Sequence, residues 1–157
     1  MSLAYKSSDD RRSDFVWSIG LAGSVPLWIA AILMWSHADP VSAGRAVAIA
    51  IAYAAIVLAF LGGSRWGSAI AIPSRSLFYR ERAMSMLPGL AGLAALFSPP
   101  AIALTLLVSM FLWQALWDVT SAEDGRLPYW SGMLRVTLTA ICVPVLLAML
   151  GRVLFAL

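Results

Sequence analysis

The chain has 157 residues, 61% of them hydrophobic and only 12% charged, with a net charge of +3. A soluble domain carries about 25% charged residues, so this composition excludes a water-soluble globule and points to one compact polytopic domain in a bilayer. The charge calls for no nucleic acid, because ten of the eleven basic residues are Arg and most flank apolar runs, where anionic headgroups meet them. A single cysteine, Cys142, excludes an intrachain disulfide and any Cys-based metal motif.

In chain order, residues 1–14 form a polar N-terminal tail, and residues 15–157 a single membrane domain with five apolar segments. The first, "FVWSIGLAGSVPLWIAAILMW", covers 15–35 and is bent at Pro26. Its 21 residues reach about 31 Å as a helix, one hydrocarbon core. It is too long, and too rich in Trp, for a signal peptide, although "DRRSDF" faintly echoes a twin-arginine leader. The second span covers 45–63. The apolar run from Ala83 to Trp117 would extend about 52 Å, too long for one crossing. "SPP" at Ser98–Pro100 splits it into a hairpin of spans 83–97 and 101–117. The fifth span covers 129–157, with a kink expected near Pro144.

Orientation follows from the basic residues. With the N-terminus in the cytoplasm, that side holds Lys6, Arg11, Arg12, Arg65, Arg75, Arg80, Arg82, Arg126 and Arg135. The other side holds Arg45 and Arg152. The segment from Ser64 to Arg82 reads as a long basic, aromatic interfacial loop. Trp17, Trp66, Trp117 and Trp130 fall at the cytoplasmic boundary as interface aromatics, and Trp35 falls at the other. No internal repeat marks an inverted-repeat transporter.

Small residues recur every four positions at Ala55, Ala59, Gly63, Gly67 and Ala71, one smooth face of a helix. That ribbon serves either a dimer or, as a chain with five helices of its own suggests, packing within the bundle. Arg65 lies about 200° around the helix from it. Asp118 is the one acid expected at a matching depth, with Gln114 a turn before it and Arg135 entering the fifth span near the same boundary. These four residues make a candidate polar cluster, since ionisable groups in spans are usually paired or functional. The alternative is separate interfacial charges, each solvated by headgroups. Two arginines around one aspartate leave a positive excess, of the sign that attracts an anionic lipid headgroup.

Other motifs are weak. His37 and Asp39 do not make a metal site. "EDGR" at Glu123–Arg126 resembles a fragment of the acidic signature of phospholipid-synthesising transferases, without its further aspartates. "PSRS" at Pro73–Ser76 reads as a turn. No Ser-His pair, HExxH motif or phosphate loop is present. No catalytic residue, cofactor or metal is therefore expected.

"YAAIVLAFLGGSRWGSAI" and "PYWSGMLRVTLTAICV" resemble two landmark segments of the family called domain of unknown function 3429, which includes bacterial relatives of mitochondrial transmembrane protein 69. The residues that carry the resemblance are Tyr53, Phe60, Leu61, Gly62, Gly63, Arg65, Trp66 and Gly67, then Arg135, Leu138 and Thr139. It implies a small polytopic protein of bacterial inner and mitochondrial membranes, and it implies no activity. The expected fold is an all-α integral membrane bundle of five transmembrane helices, N-terminus cytoplasmic. The abundance of Arg over Lys, with many Ala and Leu, suggests a GC-rich bacterium and hence its inner membrane. The expected function is a non-enzymatic structural or assembly component of a membrane complex, with the bilayer, anionic headgroups and a membrane-protein partner as its contacts. The alternatives are a small transporter or channel component, or a lipid- or quinone-binding membrane protein.

Overall fold

A computed structural model describes residues 15–36, 39–68, 74–126 and 129–155. The N-terminal tail, His37, Ala71 and Leu157 lie outside the described residues. Among the described residues, five helices make up the bundle. They are α1 (Phe15–Ser36), α2 (Pro40–Ser68), α3 (Arg75–Leu96), α4 (Pro100–Glu123) and α5 (Tyr129–Phe155). All but α3 are long and apolar enough to cross a membrane. The helix α3 opens with "RSLFYRER", and only its remaining 14 of 22 residues, about 21 Å, are largely apolar. The expected interfacial loop is therefore mostly helix: α2 runs on through Arg65 to Ser68, and α3 begins at Arg75.

Local chemistry sets the helix ends. Asp39 caps α2, its carboxylate accepting the Ser42 backbone N–H at 2.9 Å, and Pro40 follows in the first turn where no N–H is needed. Asp39 thus has a structural role. The break between α3 and α4 falls on Phe97–Pro99, and Pro100 opens α4. At the other end of α4, "EDGR" is a helix stop. Gly125 takes φ +69°, the Gly125 N–H donates to Ala122 O, and the Arg126 N–H donates to Ser121 O at 2.9 Å. That is the Schellman pattern, in which glycine accepts the left-handed turn. The bend expected at Pro26 comes earlier, as a turn at Gly23 and Ser24. Pro26 sits instead in the first turn of the following segment, Val25–Ser36. There the Leu27 N–H turns to Ser24 O, and the Tyr53 hydroxyl of α2 donates to the Gly23 carbonyl.

The helices pack as antiparallel neighbours in chain order, with α1 also against α5 and α2 against α4. Their shared core holds Leu27, Met34, Leu58, Leu107, Phe111 and Leu146. Large apolar side chains such as Ile49, Ile56, Phe60, Leu93, Ile102 and Leu116 point outward. Charged residues are buried at one end. This is the reverse of a soluble protein and suits a hydrocarbon surround. Outward hydroxyls on Ser36, Thr105, Ser109 and Thr137 donate to carbonyls one turn earlier, so they meet the surround already satisfied.

Candidate functional site

The buried face of α2 follows helical spacing through Ala54, Leu58, Leu61 and Arg65. Its last polar member, Arg65, meets residues of two other helices, α3 and α4. The α4 face Gln114, Asp118, Ser121 rises at the same spacing, and all three are buried. The α3 face Glu81, Ser85, Pro88, Gly92, Ala95 is likewise buried. Arg135 enters from the first turns of α5. The result is a four-helix charge network at one end of the bundle.

Asp118 is central. Its carboxylate lies 3.3 Å from Arg65 Nη1 and 3.4 Å from Arg135 Nη1, and the Gln114 amide donates to both oxygens at 3.3 Å. Arg65 Nη2 donates to Glu81 Oε2 at 2.9 Å and to the Ser121 hydroxyl at 2.7 Å. Its guanidinium stands 3.9 Å from the centre of the Trp117 ring. Arg135 also donates to the Leu61 carbonyl at 3.3 Å and to the Ser64 hydroxyl. Arg126, returned by the helix stop, pairs with Glu81 and with Asp124. Arg65, Glu81, Asp118 and Arg135 are 4%, 5%, 0% and 7% exposed, so the charges are almost wholly removed from solvent.

The structure brings Arg65, Asp118, Arg135 and Gln114 together. It corrects the expectation that Asp118 is the one acid at this depth, because Glu81 lies in the same network. With it, the four buried ionisable residues are two arginines and two carboxylates. Their sum is zero, and the expected positive excess at this cluster disappears. Glu81 was legible in principle as the first member of the α3 small-residue face, and Ser121 as the next turn beyond Asp118. The Leu61 carbonyl and Ser64 carried no such signal, since only the approach of α5 reveals them.

The small-residue ribbon is corrected as well. Ala55 is buried against Gly92, where an added Cβ would lie 3.0 Å from the Ala55 carbonyl oxygen. The tightest approach, however, is at Gly62, where a Cβ would sit 2.5 Å from the Ser85 carbonyl oxygen. Gly63 and Gly67 face open space, and Ala59 is exposed. The physical reason is the phase of α2: the face carrying Gly62 and Arg65 turns to α3 and α4, leaving the neighbouring ribbon outward. Among the interface aromatics, Trp66 and Trp130 are exposed and Trp17 is half-buried. Trp117 is buried over Arg65, because a guanidinium taken out of water gains from an aromatic face.

In chemical terms the network joins helices. Each guanidinium spends donors on internal acceptors, and each carboxylate is met from at least two sides. Among the described residues, no group of three or more His, Cys, Asp or Glu side chains is arranged to hold a metal ion. Cys142 is a buried free thiol. Among known proteins, no curated sequence and no solved structure matches the chain. A family model described as protein of unknown function (DUF3429) matches residues 13–151, and it covers the capped helices, the charge network and the glycine contacts together. The chain therefore belongs to the DUF3429 family.

Proposed function

We propose that this protein is a non-enzymatic, multi-pass component of a bacterial inner membrane that supports the assembly or stability of a larger membrane complex. The observation that carries this reading is how the buried charges are used. Arg65, Glu81, Asp118 and Arg135 neutralise one another across α2, α3, α4 and α5 instead of presenting reactive groups to a substrate. Intramembrane charges are costly unless paired. Here the pairing fixes four helices into one body whose outer surface is apolar and available to neighbours. The cluster end is proposed to face the cytoplasm, in keeping with the nine basic residues assigned to that side.

Affinity purification of the full chain in mild detergent tests the reading. Recovery of a membrane-protein partner at fixed stoichiometry supports it. A chain recovered alone with a bound small molecule overturns it. The second outcome would favour lipid or quinone binding, for which one observation speaks. A cavity of about 290 Å³ opens between α1, α2 and α5, lined by Ile19, Tyr53, Phe60, Leu138 and Cys142. Orientation is read separately with an impermeant thiol reagent on intact cells in a Cys142→Ser background. Gly44→Cys should label and Asp124→Cys should not. Both positions are exposed, whereas Ser121 is buried against Arg65 and would report nothing.

A further inference from the structure

The outward ribbon on α2 does not face a flat surface. Together with α3 it makes a groove of about 320 Å³, floored by Ala59, Gly63 and Gly89 and walled by Trp66, Met86 and Leu90. On α3, Arg82, Met86 and Gly89 share one face at helical spacing, so Arg82 stands at the groove's polar end. Its guanidinium lies 4.9 Å from the centre of the Trp66 ring and 4.2 Å from that of Phe78. From Arg82 to Leu90 the helix α3 rises about 12 Å toward the apolar middle of the bundle.

Charge sets this end apart from the buried network. Glu81 is taken by Arg65 and Arg126 from inside. Arg80 reaches that carboxylate only at 3.9 Å and is largely exposed. Among the described residues no acid lies within ion-pair distance of Arg82, and its Nε is buried without a hydrogen-bond partner. A cation with no acid partner therefore tops an apolar slot floored by small residues. That combination matches one kind of occupant, an anion joined to a hydrocarbon chain. A guanidinium fork suits phosphate oxygens, and a slot floored by Ala and Gly between two helices suits a single acyl chain.

We infer that the α2–α3 groove is a binding site for an anionic phospholipid, with its phosphate on Arg82 and one acyl chain along Ala59, Gly63 and Gly89. The inference goes beyond the assembly reading. It requires the bundle to sit in a bilayer and requires no protein partner, so failure to recover a partner leaves it standing.

The test is native mass spectrometry of the delipidated full chain, offered equal amounts of phosphatidylglycerol and phosphatidylcholine with the same acyl chains. The wild type is expected to retain phosphatidylglycerol about fivefold over phosphatidylcholine, the ratio one arginine provides at an anionic lipid surface. Arg82→Gln should bring the ratio near one. Arg82→Lys should keep part of it, and Arg75→Gln, whose side chain lies over Tyr79 instead, should leave it unchanged. Gly63→Leu meets no atom within 4 Å of its Cβ, so it should fold normally while reducing retention of both lipids. Equal retention by the wild type overturns the site. So does a preference that survives Arg82→Gln or falls equally with Arg75→Gln. Displacement of phosphatidylglycerol by inorganic phosphate alone would overturn the lipid assignment. Crosslinking of Gly63→Cys to a second copy in membranes, with Gly63→Leu leaving lipid retention intact, would assign the groove to a dimer.

Discussion

The two ends of this bundle are held by different means. At one end Arg65, Glu81, Asp118 and Arg135 link four helices through directional, charge-assisted contacts. Toward the other, Ala43, Ala46, Ala50, Ala103, Leu107, Leu146 and Met149 meet with no polar atom between their side chains. Beyond them, Arg152 of α5 lies 5.3 Å from the centre of the Trp35 ring of α1. In a bilayer the apolar end gains little from burial, since lipid tails are as apolar as leucine, so close fit must hold it. The charged end gains from pairing because an unpaired charge there is expensive. Shape therefore sets how closely the helices approach, and charge sets which helices meet and in what register.

Removing a carboxylate from the charged end should have the largest effect. Asp118→Asn leaves Arg65 and Arg135 buried with Glu81 as the remaining acid. It should destabilise by about 3–5 kcal/mol, the usual cost of stranding a buried charge. Thermal unfolding in one detergent measures it, with Asp124→Asn as a control at an exposed acid of the same end. An Asp118→Asn chain as stable as the control would mean the network does not join the helices.

Fit is tested by two adjacent glycines. Gly62→Ala places a methyl 2.5 Å from the Ser85 carbonyl oxygen and should cost about 1–3 kcal/mol through overpacking. Gly63→Ala meets nothing within 4 Å and should be neutral or slightly stabilising in its helix. Equal effects in the same unfolding assay would show that the α2–α3 contact is looser than the geometry states.

Smaller effects separate hydroxyls by their partner. Ser121→Ala removes an acceptor from buried Arg65 and should cost about 1.5–3 kcal/mol, as for a hydrogen bond to a charged group. Tyr53→Phe frees only the Gly23 carbonyl and should cost about 1 kcal/mol. Ser109→Ala, whose hydroxyl bonds its own helix on an exposed face, should change stability by less than about 0.5 kcal/mol. If the three variants unfold together, the burial of the network contributes nothing beyond ordinary hydrogen bonding.

Much of the architecture follows from sequence alone. Apolar run lengths set the number of helices and "SPP" sets the hairpin, because these depend on run length and local backbone chemistry. The charged members Arg65, Asp118 and Arg135 were legible because an ionisable residue at a span end must find a partner. Glu81 carried a weaker signal, as the first member of the α3 small-residue face, since "RSLFYRER" reads as a polar loop until α3 is seen to begin at Arg75. The glycines show where sequence stops. The spacing of Ala55, Ala59, Gly63 and Gly67 names a smooth face but not its direction. One residue along α2 is a turn of 100°, so Gly62 and Gly63 exchange roles with the phase of the helix. Packing against α3 and α4 decided that phase, sending Gly62 and Arg65 inward and leaving the ribbon to line a groove with Arg82 above it.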